Sequence, residues 1–228
     1  MLRATLLLLC PLAACTQDAY EKGESERSRI QADFVEVHTD AERRIASANT
    51  DDGWQLTMQP PFTAEWAQQP DTFYRAVLYY DKVDGSGDIV APVACSSVPV
   101  PPITPADSVK EMKTDPVQLE SVWLSKSMRY LNAALWLKTG TADDSNAVHR
   151  LGVVNESLLT DEAGRRTLYL RLYHDQDGIP EYYSQRTYFS IPLYKLEADS
   201  IILTVGTYEG EVTKRFCINP SDNLPKTN

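Results

Sequence analysis

Alternation of apolar and polar residues is the feature that most constrains the fold of this chain. Successive side chains of a β-strand point to opposite faces of the sheet, so a period of two is typical of a strand with one buried face. The stretch TLYLRLYH shows the pattern most clearly. Its aliphatic residues share one face and its remaining large residues share the other, namely Leu168, Leu170 and Leu172 against Tyr169, Arg171 and Tyr173.

The same alternation recurs at 130–138 and 189–193, and a last hairpin is predicted through Glu209–Gly210. No helical period extends beyond two turns anywhere in the chain. The sequence therefore predicts an all-β protein, whose C-terminal part is an antiparallel β-sandwich with each sheet solvated on one side.

The first half contains five shorter strand patterns, separated by clusters of Gly, Pro, Asn and Asp. This spacing predicts a small OB-like barrel over 31–98. The segment 99–116 carries five prolines. Because proline disrupts helices and central strands, we expect this segment to be a linker that leads into the sandwich domain, 117–228.

The N-terminus has the layout of a secretory signal. Arg3 precedes an apolar stretch that is too short to span a bilayer, for which about 20 residues are needed. The sequence Leu12-Ala13-Ala14-Cys15 resembles the lipobox of bacterial lipoproteins. We therefore expect residues 1–14 to be a lipoprotein signal peptide and Cys15 to be lipidated, the alternative being an ordinary signal peptide with an incidental cysteine.

The segment 15–30 is polar and charged, which predicts a flexible tether between the lipid and the barrel. The formal charge of the chain is −10, and removal of the signal, with its single basic residue, makes it −11. Nucleic-acid binders need clustered Lys and Arg, so nucleic acid is not an expected partner. Repulsion from anionic lipid also means that the lipid anchor itself must provide the membrane attachment.

The lipobox, the two β domains separated by prolines and the stretch LYLRLYHDQDGIPEYYSQRTYFSIPLYK, followed by DSIILTVGTYEG, together resemble the NigD-like lipoproteins. The resemblance covers nearly the whole mature chain and is most specific in its C-terminal half. It implies an N-terminal OB-type domain, a C-terminal β-sandwich and a location in the cell envelope. It supplies no catalytic residues.

Catalytic and zinc motifs are absent from the sequence. The chain has three histidines, His38, His149 and His174, and no H-E-x-x-H motif. Ser86, in Gly-Ser-Gly, lacks the G-x-S-x-G spacing of a hydrolase nucleophile. We expect no catalytic residues, no bound metal and no cofactor.

Calcium at two acidic loops remains an alternative. One loop begins with Asp175-x-Asp177-Gly178 but has Arg186 where an EF-hand needs Glu. The other loop contains Asp81, Asp84 and Asp88 at uneven spacing. Asp-Gly is also a strong hairpin signal, so we expect a hairpin tip at Asp177–Gly178, with His174 directed into the core.

Two cysteines remain in the folded region, Cys95 and Cys217. Because they fall in different predicted domains, we expect two buried, inert thiols, and a disulfide, which an oxidising envelope permits, is the alternative.

Exposed aromatic residues on rigid strands can stack on sugars or anchor a protein partner. The alternative is that they form cross-strand pairs that stabilise the sheet. The candidate ligand contacts are Trp136, Tyr169, Tyr173, Tyr182 and Tyr183.

These observations predict a non-enzymatic protein, lipid-anchored in the outer membrane and either periplasmic or surface-exposed. Its expected role is to bind an envelope, glycan or peptide partner. An envelope hydrolase that acts on glycan or peptide and an immunity-type protein against a secreted peptide are the alternatives.

Overall fold

The computed structural model describes residues 30–218, apart from 84, 143–145 and 195. Within that range the regular structure consists of β-strands and one short 3₁₀ turn, Ala106–Ser108. The strands form one closed barrel and two further sheets, so the predicted all-β fold of an OB-like barrel followed by a sandwich is confirmed.

Five strands close the barrel, in the spatial order β1-β2-β3-β5-β4. Their bounds are β1 Gln31–Thr39, β2 Ile45–Thr50, β3 Gln55–Phe62, β4 Phe73–Lys82 and β5 Ile89–Ser97. The β3–β5 pair is parallel and the others are antiparallel. Apolar side chains that alternate along these strands fill the barrel, including the fully buried Val35, Ile45 and Leu78.

Eight strands form the second domain: β6 Ile103–Pro105, β7 Gln118–Leu124, β8 Tyr130–Thr139, β9 Arg150–Thr160, β10 Arg166–Asp175, β11 Tyr183–Pro192, β12 Ser200–Thr207 and β13 Gly210–Cys217. One sheet has the order β13-β12-β10-β9-β6 and the other β11-β8-β7. The prediction of purely antiparallel sheets holds for the three-stranded sheet, but the five-stranded sheet is mixed, because β10 pairs with β12, and β6 with β9, in parallel. The inward residues of both sheets, such as Leu135, Leu170 and Phe189, form one buried core.

The proline-rich segment 99–116 is attached to the sandwich along its length. Its strand β6 pairs with β9, and further on Thr114 bridges to His174 on β10. Val117 then bridges to Thr207 at the end of β12. The short β6 occupies the sheet edge, which is where a strand tolerates proline.

The predicted hairpin at Asp177–Gly178 is wrong. A tight turn does form there, with positive φ at both residues and a hydrogen bond from Ile179 N–H to Gln176 O of 3.1 Å. However, β10 already has neighbours on both sides, β9 and β12, so β11 cannot join it. The buried Ile179 and the residues after it carry the chain across to the other sheet, where β11 pairs with β8.

The outer face of β8 was expected to be solvated, and for its first half this expectation is wrong. Tyr130, Asn132 and Ala134 are buried although they point away from the sandwich core. The barrel covers them, and Arg75 on β4 reaches across to Asn132 and to Ser190 on β11. The two domains therefore share a buried polar interface.

Candidate binding groove

As far as residues 30–218 show, the sandwich is open along one side, where the edge strand β7 of one sheet and the edge strand β13 of the other line a common groove. The groove between them has a volume of about 890 Å³. This volume lies within the range of about 300–1,000 Å³ that is common for ligand sites. The groove is therefore large enough for a short peptide segment or a small molecule.

Strand β13 presents free backbone groups to this groove. It pairs with β12 through a hairpin whose loop consists of Tyr208 and Glu209. A two-residue loop is closed by a residue pair that exchanges both backbone hydrogen bonds, which here is Thr207 and Gly210. Hydrogen-bonded and non-hydrogen-bonded pairs then alternate along the ladder. The backbone groups of Thr213, midway along β13, consequently face away from β12 and toward the open side.

The inner wall of the groove combines apolar side chains with one cation. Val212, Lys214 and Phe216 stand opposite the buried core residues of β12, so all three point to the inner face. Leu119 and Val122 line the facing wall from β7 and pack against the core. The groove therefore has an apolar floor with Lys214 at its centre.

Strand β7 is the less regular of the two edges. Its pairing with β8 shifts register between Leu119 and Ser121, which leaves Glu120 as the extra residue of a bulge. Glu120 accepts hydrogen bonds from Arg186 on β11, across the sheet. Because bulges interrupt a pairing edge, β13 is the better template for an added strand.

The groove holds cations with no partner. Lys214 and Arg215 are exposed, and neither side chain forms a hydrogen bond or ion pair within the described part of the chain. Lys138, at one end, is instead paired with Glu181 at 3.1 Å and lies over the Tyr208 ring. Its hydrogen bond lowers the pKa of the Glu181 carboxyl.

The predicted aromatic residues do not form one site. Tyr169 and Tyr173 lie on the outer face of the five-stranded sheet, whereas Trp136 lies on the outer face of the other sheet. Tyr182 and Tyr183 are exposed at the start of β11, and the Tyr182 ring covers Gly140. None of the five lines the groove, so their role in ligand contact stays a prediction.

The three histidines form hydrogen bonds or ring contacts with nearby residues. His174 is buried and in phase with the core leucines of β10, as predicted. Its Nε2 lies 3.0 Å from His149 Nδ1, while its Nδ1 donates to the Asp115 carbonyl over 2.8 Å. His38 packs against the Phe73 ring, 4.6 Å between centroids. The contacts of His38, His149 and His174 are therefore typical of histidines that stabilise the fold.

Carboxylates of the Asp175–Gly178 loop are already paired with a cation. Arg150 lies 3.1 Å from Asp175 Oδ2 and 2.8 Å from Asp177 Oδ2, and its hydrogen bond lowers the pKa of Asp177. Within the described ranges, no group of three or more His, Cys, Asp or Glu side chains is arranged to hold a metal. Asp84 of the other loop lies outside the described residues, as does Cys15.

Cys95 and Cys217 are free thiols, each partly buried. Burial raises the pKa of the Cys95 thiol to about 12. In the residues that the structure describes, no helix combines the length and apolar character needed to cross a membrane.

The groove could not be found by looking for aromatic residues in the sequence. Its signal is the stretch EVTKRFC, Glu211–Cys217, in which a lysine stands where the alternation calls for an apolar residue between Val212 and Phe216. Such a lysine marks an edge strand, because only an edge leaves room for the charge to reach water.

Comparison with solved structures finds the same fold in several proteins from Bacteroides species. A NigD-like immunity protein from Bacteroides caccae is 24% identical with a TM-score of 0.64, over 82% of this chain and 97% of that one. A protein of unknown function from Bacteroides vulgatus is 19% identical with a TM-score of 0.62, over 87% and 96%. A candidate lipoprotein from Bacteroides fragilis is 12% identical with a TM-score of 0.56, over 82% and 96%. At these identities the likeness concerns the fold.

No curated protein matches the chain. The family model described as the NigD-like C-terminal beta sandwich domain matches residues 99–218, which is more than half of the chain. The match begins at the first residue of the proline-rich segment, in agreement with the attachment of that segment to the sandwich. The predicted resemblance is confirmed, and the chain belongs to the NigD-like family.

Proposed function

We propose that this chain is a non-catalytic envelope protein, lipid-anchored through Cys15 in the outer membrane, whose sandwich binds an extended polypeptide by strand addition at β13. The tether, residues 15–30, then holds the barrel and the sandwich away from the lipid surface. In this mode the backbone of the bound segment pairs with a sheet edge, and pockets beside the edge select its side chains.

The observation that carries the proposal is the open edge of β13. The strand keeps an uninterrupted register with β12 from Gly210 to Cys217, no described strand pairs with its other side, and four of its residues line the groove. Unpaired edges attract other strands, so proteins commonly cover them. An uncovered edge beside a groove of this volume fits a partner that arrives as a strand.

Two further observations support a binding role without catalysis. The described histidines contact each other, a backbone carbonyl or a phenyl ring, and no histidine ring forms a hydrogen bond with a described Ser or Thr hydroxyl. The candidate lipoprotein from Bacteroides fragilis shares the fold, which fits the lipobox at Cys15.

Display of random short peptides tests the proposal. The mature chain with Cys15→Ser serves as bait, and the affinities of the enriched peptides are measured by fluorescence polarisation. Thr213→Pro removes one N–H that points away from β12 at the edge of the sheet while leaving the β12 ladder intact, and proline is tolerated at such an edge. Thr213→Val retains the N–H and is the matched control, because both variants lose the contact between the Thr213 and Thr204 hydroxyls.

We expect Thr213→Pro to abolish binding and Thr213→Val to preserve it. Failure to enrich any peptide, or equal binding by both variants, would overturn strand addition at β13. Turnover of an enriched peptide by the bait would overturn the non-catalytic assignment.

An immunity role is a second candidate, motivated by the name of the Bacteroides caccae neighbour. A protein that protects its cell from a secreted peptide would bind that peptide in the envelope, which is compatible with strand addition. Deletion of the gene should then reduce tolerance to peptides secreted by neighbouring strains, and unchanged tolerance would remove this candidate.

A further inference from the structure

We infer that the groove selects an extended segment that carries an acidic residue midway between two apolar residues, each two positions away. This inference rests on the proposed strand addition at β13. It concerns the side chains of the partner, whereas the proposed function concerns its backbone.

The selecting group is Lys214. It stands directly opposite Leu203 of β12, whose side chain is fully buried in the core, so both point to the inner face of the sheet. At an interior position of the sheet a lysine would be buried without a counter-charge. On β13 it remains exposed, because no strand among the described residues pairs with the outer side of β13.

The register of β13 gives the spacing of the preferred segment. On an added strand, residues opposite Val212, Lys214 and Phe216 share the inner face with them. Apolar side chains match Val212 and Phe216, which are half-buried beside the core, and a carboxylate matches Lys214. The residues in between face the outside with Thr213 and Arg215 and can be polar.

The charge of the groove favours an acid over a base. Lys214 and Arg215 have no ion-pair partner in the described structure, while Glu209 at the hairpin turn is the unpaired carboxylate of the lining. The other two charged lining residues are already paired, Glu120 with Arg186 and Lys138 with Glu181. The unpaired charges therefore leave the groove cationic, although the chain as a whole carries a formal charge of −10.

The same lysine disfavours a second copy of this chain as the occupant. Two β13 strands paired about a two-fold axis would bring two sets of Lys214 and Arg215 together. Like charges on neighbouring strands repel, and inward-pointing lysines on edges are known to suppress such pairing. An acidic partner removes this repulsion, so one side chain both excludes self-association and admits the ligand.

A charge-swap experiment tests the inference. The probes are labelled peptides of sequence Thr-Val-Thr-X-Thr-Val-Thr, with Glu, Gln or Lys at X, titrated against the Cys15→Ser mature chain. We expect the Glu peptide to bind about fivefold more tightly than the Lys peptide, as is typical of cross-strand charge pairs. Lys214→Glu should invert this preference.

Lys110→Glu is the matched control, because Lys110 is exposed beside β6 at the other edge of the five-stranded sheet, so the variant makes the same change in net charge outside the groove. An inversion by Lys214→Glu alone supports selection by Lys214. Equal effects of the two variants, or equal binding of all three peptides, would overturn the inference while strand addition stands. Peptide binding that survives Thr213→Pro would instead overturn strand addition itself. Dimerisation of the unliganded chain, measured by sedimentation, would identify a second copy as the occupant and also overturn the inference.

Discussion

Arg75 on β4 of the barrel donates a hydrogen bond through Nη2 to Asn132 Oδ1 on β8 of the sandwich, over 3.0 Å, and both side chains are buried. The same Nη2 lies 2.6 Å from Asp51 Oδ2, to which Asn132 Nδ2 also donates over 2.9 Å. The guanidinium lies over the Tyr130 ring, with Cζ 4.1 Å from the ring centroid. This closed network fixes the barrel against the sandwich.

Replacement of Arg75 by Met should destabilise the protein strongly. The Asp51 carboxylate and the Asn132 amide would lose their cationic partner in a buried interface, and breaking such a pair costs about 3–5 kcal/mol. Arg129→Met is the control, because Arg129 also bridges the domains, to Glu36, but its side chain is half-exposed. We expect a loss of at most about 1 kcal/mol there. Urea denaturation measures both, and equal losses would contradict the importance of the Arg75 network.

Gly206 on β12 is predicted to be intolerant of a side chain. An added Cβ would lie 3.1 Å from the Thr114 carbonyl oxygen. That carbonyl cannot retreat easily, because Thr114 is bridged to His174. Gly206→Ala should therefore reduce the free energy of unfolding by about 1–3 kcal/mol. At Gly87 nothing lies within 4 Å of an added Cβ, so Gly87→Ala should leave the stability within about 1 kcal/mol of the original. Thermal denaturation measures the stability of both variants, and equal midpoints would contradict the prediction for Gly206.

The strands could be predicted because period-two alternation is a local property. The leucines of β10 and the inward position of His174 follow directly from that period. Pairing is not local, and the Asp177–Gly178 turn shows the consequence. A hairpin signal predicts a reversal of the chain, but it cannot show that β9 and β12 already occupy both sides of β10. The strand after the turn therefore joined the other sheet.

The interface between the two domains and the groove could not be predicted from the sequence for a related reason. Tyr130 and Asn132 have the pattern of a solvated face, and only the position of the barrel makes that face buried. Lys214 has the pattern of an ordinary surface lysine, and only the sheet order shows that it points inward at an open edge. Both features arise from contacts between segments that are far apart in sequence.

Lipidation predicts a simple change in fractionation. Wild-type protein should sediment with outer membranes and incorporate labelled palmitate, because each buried methylene contributes about 0.8 kcal/mol to membrane binding. Cys15→Ser should release the protein into the aqueous fraction and abolish the label. Palmitate-free wild-type protein would instead favour an ordinary signal peptide with an incidental cysteine.

The thiol of Cys95 should be poorly reactive. Burial raises its pKa to about 12, and the thiolate is the form that reacts with alkylating agents. Iodoacetamide at pH near 8 should modify Cys95 at least about a hundredfold more slowly in the native protein than in concentrated urea. Mass spectrometry of the peptide that contains Cys95 gives both rates. Comparable rates would show that the thiol is accessible and ionised.

His149, whose ring stacks on that of His174, should make the protein sensitive to acid. Burial, followed by the nearby His174, lowers the pKa of His149, and Asp115 offsets only part of that effect. In the unfolded chain His149 titrates near the usual value of about 6.5, so between that pH and its lower native pKa the unfolded state binds more protons than the native state. The free energy of unfolding should therefore fall as the pH drops through this window and level off below the native pKa.

His149→Gln removes the titrating group and should flatten this pH dependence, although it also reduces the stability at neutral pH. Urea denaturation at several pH values between about 5 and 8, with proton NMR titration of the imidazoles, measures both effects. A native His149 pKa at or above the unfolded value would contradict the predicted sign.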